Sequence, residues 1–249
     1  MSTLRCGMRA PAIAVVSAGV LLLAGGCSQW TGTPLFNGRD LAGWKALGEQ
    51  NAWVVASRVA VDPKDEKRFV ITPGEGILVN GPDGRTCNIC TEQTFGDCAV
   101  HIEFVVPKGS NSGVYFAGRY EIQVLDSYGK EKLEYSDCGG IYGRWINNQT
   151  VEGRAPRVNA SRAPGQWQSF DVVFRAPRFD ASGRKTENAR FVKVLHNGVL
   201  VHENVELTGP TRAAMSETVE VARGPLMLQG DHGPVAYRNI RIRELNLAK

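Results

Sequence analysis

Asn111-Ser-Gly-Val-Tyr-Phe-Ala-Gly-Arg-Tyr-Glu-Ile-Gln-Val-Leu-Asp126 reads as two short strands around a tight turn. A two-residue loop would put Val114 and Phe116 on one face with Arg119 and Glu121, mixing apolar and charged side chains. A three-residue loop, Ala117-Gly118-Arg119 with the glycine in the left-handed conformation, removes the conflict. Phe116 then pairs with Tyr120 and Val114 with Ile122 on an apolar face, while Tyr115 pairs with Glu121 and Gly113 with Gln123 on the other. A hairpin with one apolar and one polar face belongs to an antiparallel sheet packed on one side only. The missing side chain at Gly113, directly across from Gln123, predicts open space among polar groups, which is a groove.

Outward from this hairpin the chain keeps the same character. Candidate strands are Gly76–Asn80, Cys98–Val106, Gly113–Phe116, Tyr120–Leu125, Gln168–Arg175, Phe191–His196, Val199–Asn204, Pro225–Gln229 and Val235–Leu245, each bounded by Gly, Pro, Asn or Asp. Asn197-Gly198 is a two-residue hairpin signal that sets Val194 opposite Val201 and Leu195 opposite Leu200, with the valines on one face. Only Thr211–Val221 reads as a helix, and no internal repeat appears. The 28 glycines and 12 prolines are scattered as punctuation, as many short strands require. The expected fold class is all-β, a sandwich of antiparallel sheets.

Composition narrows the function. The 249 residues carry a net charge of +4, with 43% hydrophobic and 22% charged residues, which excludes disorder and fibrous repeats. Arg5 and Arg9 precede the apolar stretch Ala10–Ala24 and Gly25-Gly26-Cys27, a pattern that reads as a secretory signal over residues 1–26. The end of that stretch resembles a bacterial lipoprotein signal, in which Cys27 is acylated. Residues 27–33 are then a tether and 34–249 one domain, on the periplasmic side of the outer membrane; a soluble periplasmic protein is the alternative. Without Arg5 and Arg9 the charge falls to near +2, which leaves no electrostatic case for nucleic acid. Cys87, Cys90, Cys98 and Cys138 remain in an oxidising space and read as disulfide candidates, with three pairings open.

Five stretches in order carry a resemblance. They are Pro34–Trp44, Gly109–Tyr115, Arg119–Asp126, Cys138–Gly143, and Leu228–Pro234 running into Tyr237–Ile240. Together they resemble the 3-keto-disaccharide hydrolase domain over about residues 34–245. The resemblance implies a concanavalin- or laminin-G-like jelly roll, and action on glycosides already oxidised at C3 by a separate glycoside 3-dehydrogenase. Characterised members of the family are lyases and hydratases, eliminating across C1 and C2 and then adding water to the resulting glucal. A C3 ketone acidifies the C2 hydrogen, so such a site needs a base, a stabiliser for the enolate oxygen and an acid for the leaving oxygen. The carboxylate pair of ordinary glycosidases is not the template.

Given that resemblance, the catalytic candidates are Glu103, Glu121, Asp126 and His232. Glu121 and Gln123 share the polar side of their strand, and Asp126 at its end is equally a turn residue. Glu103 and His101 alternate with Val100, Ile102 and Phe104; Glu103 is favoured for the site and His101 for the surface. His232, with Asp231 to orient its ring, is the preferred acid or base. Substrate-binding candidates are Asn111, Tyr115, Arg119, Gln123, Trp145 and Gln229. Trp44, Trp53 and Trp167 are further candidate sugar platforms, with Trp145 expected to be the exposed one. His196 and His202 read as solvent-facing. A divalent cation would suit an enolate, but no compact ligand motif stands in the sequence, so no cofactor is required. The expected partners are the 3-keto-sugar and, through the anchor, a membrane. The rivals are a non-catalytic carbohydrate-binding module and an adhesion domain, the latter disfavoured by the polar groups around Gly113.

Overall fold

The computed structural model describes residues 31–247, so the signal segment and Cys27 lie outside the described residues. Among the described residues there is no α-helix, and all strand pairing is antiparallel. The strands in chain order are β1 (Thr33–Pro34), β2 (Trp44–Ala46), β3 (Val54–Asp62), β4 (Asp65–Val79), β5 (Ile89–Thr91), β6 (Cys98–Val105), β7 (Asn111–Phe116), β8 (Tyr120–Leu125) and β9 (Arg144–Ile146). They continue as β10 (Gln149–Val151), β11 (Gln168–Arg175), β12 (Arg178–Phe179), β13 (Lys185–Glu187), β14 (Ala189–His196), β15 (Val199–Leu207), β16 (Met227–Leu228) and β17 (Ala236–Glu244). The larger sheet runs β15-β14-β11-β6-β17-β4-β3, with β1 on the end of β17, and the smaller runs β2-β5-β16-β7-β8. β9–β10 and β12–β13 are separate ribbons.

Period-two alternation builds the core between the sheets. Val100, Ile102 and Phe104 of β6 and Phe170, Val172 and Phe174 of β11 point inward from the larger sheet. Val114 and Phe116 of β7 and Tyr120, Ile122 and Val124 of β8 meet them from the smaller. Phe104 and Phe170 pack tilted with centroids 4.6 Å apart, and Phe116 meets Phe191 edge-on at 5.2 Å. Each such ring or branched chain contributes about 1.5–3 kcal/mol by leaving water. This is the expected all-β jelly-roll sandwich.

The β7–β8 register is the expected one: Phe116 faces Tyr120, Tyr115 faces Glu121, Val114 faces Ile122 and Gly113 faces Gln123. Ala117 and Gly118 both take positive φ, 51° and 62°, and the Arg119 N–H donates to the Phe116 carbonyl at 2.9 Å. In the other hairpin Leu195 faces Leu200 as expected, but a bulge sets Val194 across from His202 rather than Val201. Both valines are nevertheless buried in the core.

Four expectations are corrected. His196 and His202 are buried, at 0% and 3% exposure. His196 shares the inward side of β14 with Val194, packs on Phe104 and Phe170, and donates from Nε2 to Gln168 Oε1 at 2.9 Å. His202 Nε2 donates to the Gly139 carbonyl at 2.8 Å. Residues 211–221 form an irregular strap instead of a helix, because no apolar stripe repeats along them and Ala213 takes a positive φ of 60°. Cys87, Cys90, Cys98 and Cys138 are all free thiols. Cys98 and Cys138 sit in the inter-sheet core while Cys90 packs with Tyr115 and Met227 on the other side of the smaller sheet, which separates Cys90 from both. Finally, β3 and β4 form a long hairpin that the candidate strands touched only at Gly76–Asn80; most of β4 is exposed, so it carries little of the alternation that marks a half-buried strand.

Candidate active site

The outward face of the smaller sheet carries a pocket of about 320 Å³, lined by Asn111, Tyr115, Glu121, Gln123, Tyr142, Arg212, Ala213, Gln229 and His232. Glycine at 113 is what lets it form. A Cβ there would overlap Glu121 Oε1 and lie 2.9 Å from the Tyr115 ring. The space above Gly113 is therefore filled by the Glu121 carboxyl, where open space was expected.

Glu121 is 3% exposed, and the Tyr115 hydroxyl donates to its carboxyl. Burial, partly offset by that hydrogen bond, pushes the Glu121 pKa up to about 8. The group is thus a neutral acid near pH 7. Beside it, Gln123 Nε2 donates to Asn111 Oδ1 at 2.8 Å, which orders the polar row along β7 and β8.

His232 reaches the pocket on the loop between β16 and β17. Asn80, buried, holds that loop from beneath: its Nδ2 donates to the Gly230 and Gly233 carbonyls at 3.0 and 2.8 Å, and its Oδ1 accepts from the Val235 N–H at 2.7 Å. Ser112 Oγ donates to the Gln229 carbonyl at 2.8 Å. At the rim, His232 Nδ1 donates to Asp231 Oδ1 at 2.6 Å, with Gln229 Nε2 3.2 Å from the same nitrogen. In the neutral imidazole, a proton on Nδ1 leaves the lone pair on Nε2.

Three lining residues were not anticipated, Tyr142, Arg212 and Ala213. Tyr142 arrives on residues 139–142, which run along the edge of β8: the Gln123 N–H donates to the Gly140 carbonyl at 2.9 Å and the Tyr142 N–H to the Glu121 carbonyl at 3.2 Å. Arg212 and Ala213 come from the strap, pinned where the Arg212 N–H donates to the Gly143 carbonyl at 2.8 Å. Neither segment shows alternation; the one available signal was Cys138–Gly143 among the stretches carrying the resemblance.

The pocket thus gathers Asn111, Tyr115, Glu121, Gln123, Gln229 and His232 from the expected set. It does not gather Glu103, Asp126, Arg119 or Trp145. Glu103 faces outward from the larger sheet, accepting from Arg238 Nε and Asn239 Nδ2 at 2.7 Å each. Its pKa falls to about 2 through its hydrogen bond with His101 and those two donors. Asp126 caps its turn, accepting from the Gly109 N–H at 2.9 Å. Arg119 fastens the strap, donating from Nε to the Val219 carbonyl at 3.1 Å. Trp44 and Trp53 are core residues, and Trp167 lies under Arg238 on the far sheet. Trp145 is 37% exposed with the Arg212 guanidinium 4.0 Å from its ring centroid. Among the described residues no three His, Cys, Asp or Glu side chains stand close enough to hold a metal ion.

Solved structures with this architecture come from Parabacteroides distasonis ATCC 8503. One, provisionally assigned as a glycosyl hydrolase, is 30% identical with a TM-score of 0.61, over 86% of this chain and 84% of its own. Two others with the same provisional assignment share 18% and 22% identity, at TM-scores of 0.55 and 0.50, and support the fold. They cover 86% and 81% of this chain and 94% and 99% of their own. A comparison with curated proteins finds no match. The family model described as the 3-keto-alpha-glucoside-1,2-lyase-like domain matches residues 30–243. By that match, and by its 30% identical structural relative, the chain belongs to the 3-keto-alpha-glucoside-1,2-lyase-like family of carbohydrate-active enzymes.

Proposed function

We propose that this protein cleaves glycosides whose sugar carries a ketone at C3, by elimination followed by hydration. The observation that carries the reading is the buried, neutral Glu121 carboxyl in a polar pocket that also holds an imidazole with a free nitrogen. In the elimination, His232 Nε2 takes the C2 proton that the ketone has acidified. The C–H electrons form the C1=C2 bond while the C1–O bond breaks, and Glu121 gives its proton to the departing oxygen. Water then adds at C1 with the two proton transfers reversed, giving 3-keto-glucose. Asn111, Gln123 and Gln229 offer amides to the ring hydroxyls.

The test follows release of 3-keto-glucose, by its absorbance at alkaline pH, from 3-keto-trehalose and a 3-keto-β-glucoside, with and without chelator. Release from either supports the reading. Silence on both, with the circular dichroism of a folded sandwich, overturns it in favour of a carbohydrate-binding module. We also propose export and acylation at Cys27, the substrate being supplied by a separate glycoside 3-dehydrogenase. A fatty-acid probe should label the wild-type chain and not Cys27→Ala; equal labelling of both would sink the anchor.

A further inference from the structure

The mouth of the pocket holds a cation with no ion pair or hydrogen bond. Arg212 lines the cavity, and its guanidinium carbon stands 4.0 Å from the centroid of the Trp145 ring. Among the described residues the guanidinium makes no ion pair and no hydrogen bond. Its backbone is nonetheless fixed. The Arg212 N–H donates to the Gly143 carbonyl, and the Thr211 N–H to the Arg119 carbonyl, both at 2.8 Å. The tryptophan is equally placed by its ribbon: β9 pairs with β10 through Trp145 and Thr150. A guanidinium over an indole face, with no ion pair or hydrogen bond, has its N–H donors available, and such a fork recognises a carboxylate through two parallel bonds. A cavity of about 320 Å³ lies at the small end of the roughly 300–1,000 Å³ range of ligand pockets. It has room for about one sugar ring, so in a glycoside cleaved there the unit on the other side of the scissile bond would lie at the mouth.

We propose that Arg212, held by Trp145, forms the leaving-group subsite and favours a departing unit that carries a carboxylate, such as a uronate or a carboxylated aromatic ring. This rests on the pocket being the place where a glycoside is cleaved, as proposed above. In it Arg212 touches substrate, and Trp145 is a positioning residue that acts through Arg212.

The test compares 4-carboxyphenyl with 4-carbamoylphenyl 3-keto-β-glucoside, alike in shape and different in charge. Wild type should turn over the acid with kcat/KM about tenfold above the amide at low ionic strength. Salt near 0.5 M should shrink the ratio. Arg212→Ala should bring the ratio near one, Trp145→Ala should do the same, and Trp145→Phe, which keeps a ring under the guanidinium, should retain part of it. Calorimetric binding of the two unoxidised glucosides supplies a second arm that needs no turnover. Arg212-dependent preference for the acid in binding, with no turnover of any keto-glycoside, keeps the subsite and overturns the cleavage reading. Turnover of both substrates with equal kcat/KM in wild type, or an acid preference that survives Arg212→Ala, overturns the subsite.

Discussion

At the scale of single residues the pocket turns on the protonation of Glu121. Its carboxyl is buried beside the Tyr115 hydroxyl, with a pKa of about 8 in place of the ordinary 4.5. A step that needs the protonated acid therefore runs through neutrality and fails as pH rises past about 8. Glu121→Gln keeps the size and the hydrogen bond from Tyr115 but has no proton to give. Its kcat should fall by about 10²–10⁴-fold, with the alkaline limb of the pH–rate profile gone. A variant that kept that limb would assign it to another group. The same shift couples to stability. Between pH 4.5 and about 8 the folded chain holds a proton at Glu121 that the unfolded chain has released, so this contribution is lost as pH rises through that window.

At the scale of elements, the β7–β8 hairpin decides where that carboxyl sits, and Gly113 is the position that admits it. Gly113→Ala would drive a methyl group into Glu121 Oε1 and the Tyr115 ring. We expect a loss of about 1–3 kcal/mol in denaturant unfolding, as for other overpacked sites. The kcat should fall about a hundredfold or more as Glu121 is displaced. Activity within twofold of wild type would show that the position of Glu121 does not matter. This hairpin was also the most legible part of the chain. Charge and apolarity conflict with a two-residue loop and separate with a three-residue one, so the sequence alone puts Tyr115, Glu121 and Gln123 on one face, as the structure has them. Where no alternation exists, the reading stopped. Tyr142 sits on an irregular edge segment and Arg212 on a strap held by backbone bonds to distant loops, partners that local sequence does not announce. Alternation correctly put Glu103 and His101 on a common face, but it cannot say which face of a sandwich carries the pocket that holds Glu121 and His232. That face turned out to be tied up by Arg238 and Asn239.

At the scale of the whole molecule, the two buried histidines set the acid side of stability. Burial holds His196 and His202 neutral in the core, with pKa values of about 4 against an ordinary 6.5. The Nδ1 of His196 is buried without a hydrogen-bond partner. Between pH 6.5 and about 4 the unfolded chain binds two protons that the folded chain refuses. Stability from these groups is fully present above 6.5 and is lost as pH falls through the window, by up to about 3 kcal/mol each. Glu121 works in the opposite sense above 4.5, and so does His101. Burial alone would lower the His101 pKa, but its bonds to Asp171 and Glu103 win and raise it to about 9. His101 therefore adds stability below 6.5 that is lost as pH rises through 9. Two histidines outweigh one carboxyl below 6.5, and only losses remain above it, so the stability maximum should fall near pH 6–7. Denaturant unfolding from pH 4 to 9 checks this. The paired change His196→Gln with His202→Gln keeps a side-chain amide near each lost imidazole nitrogen, and it should flatten the acid limb while leaving the alkaline fall intact. If the double variant still loses stability between pH 6.5 and 4 as steeply as wild type, the acid sensitivity belongs to other groups and the buried imidazoles are not its source.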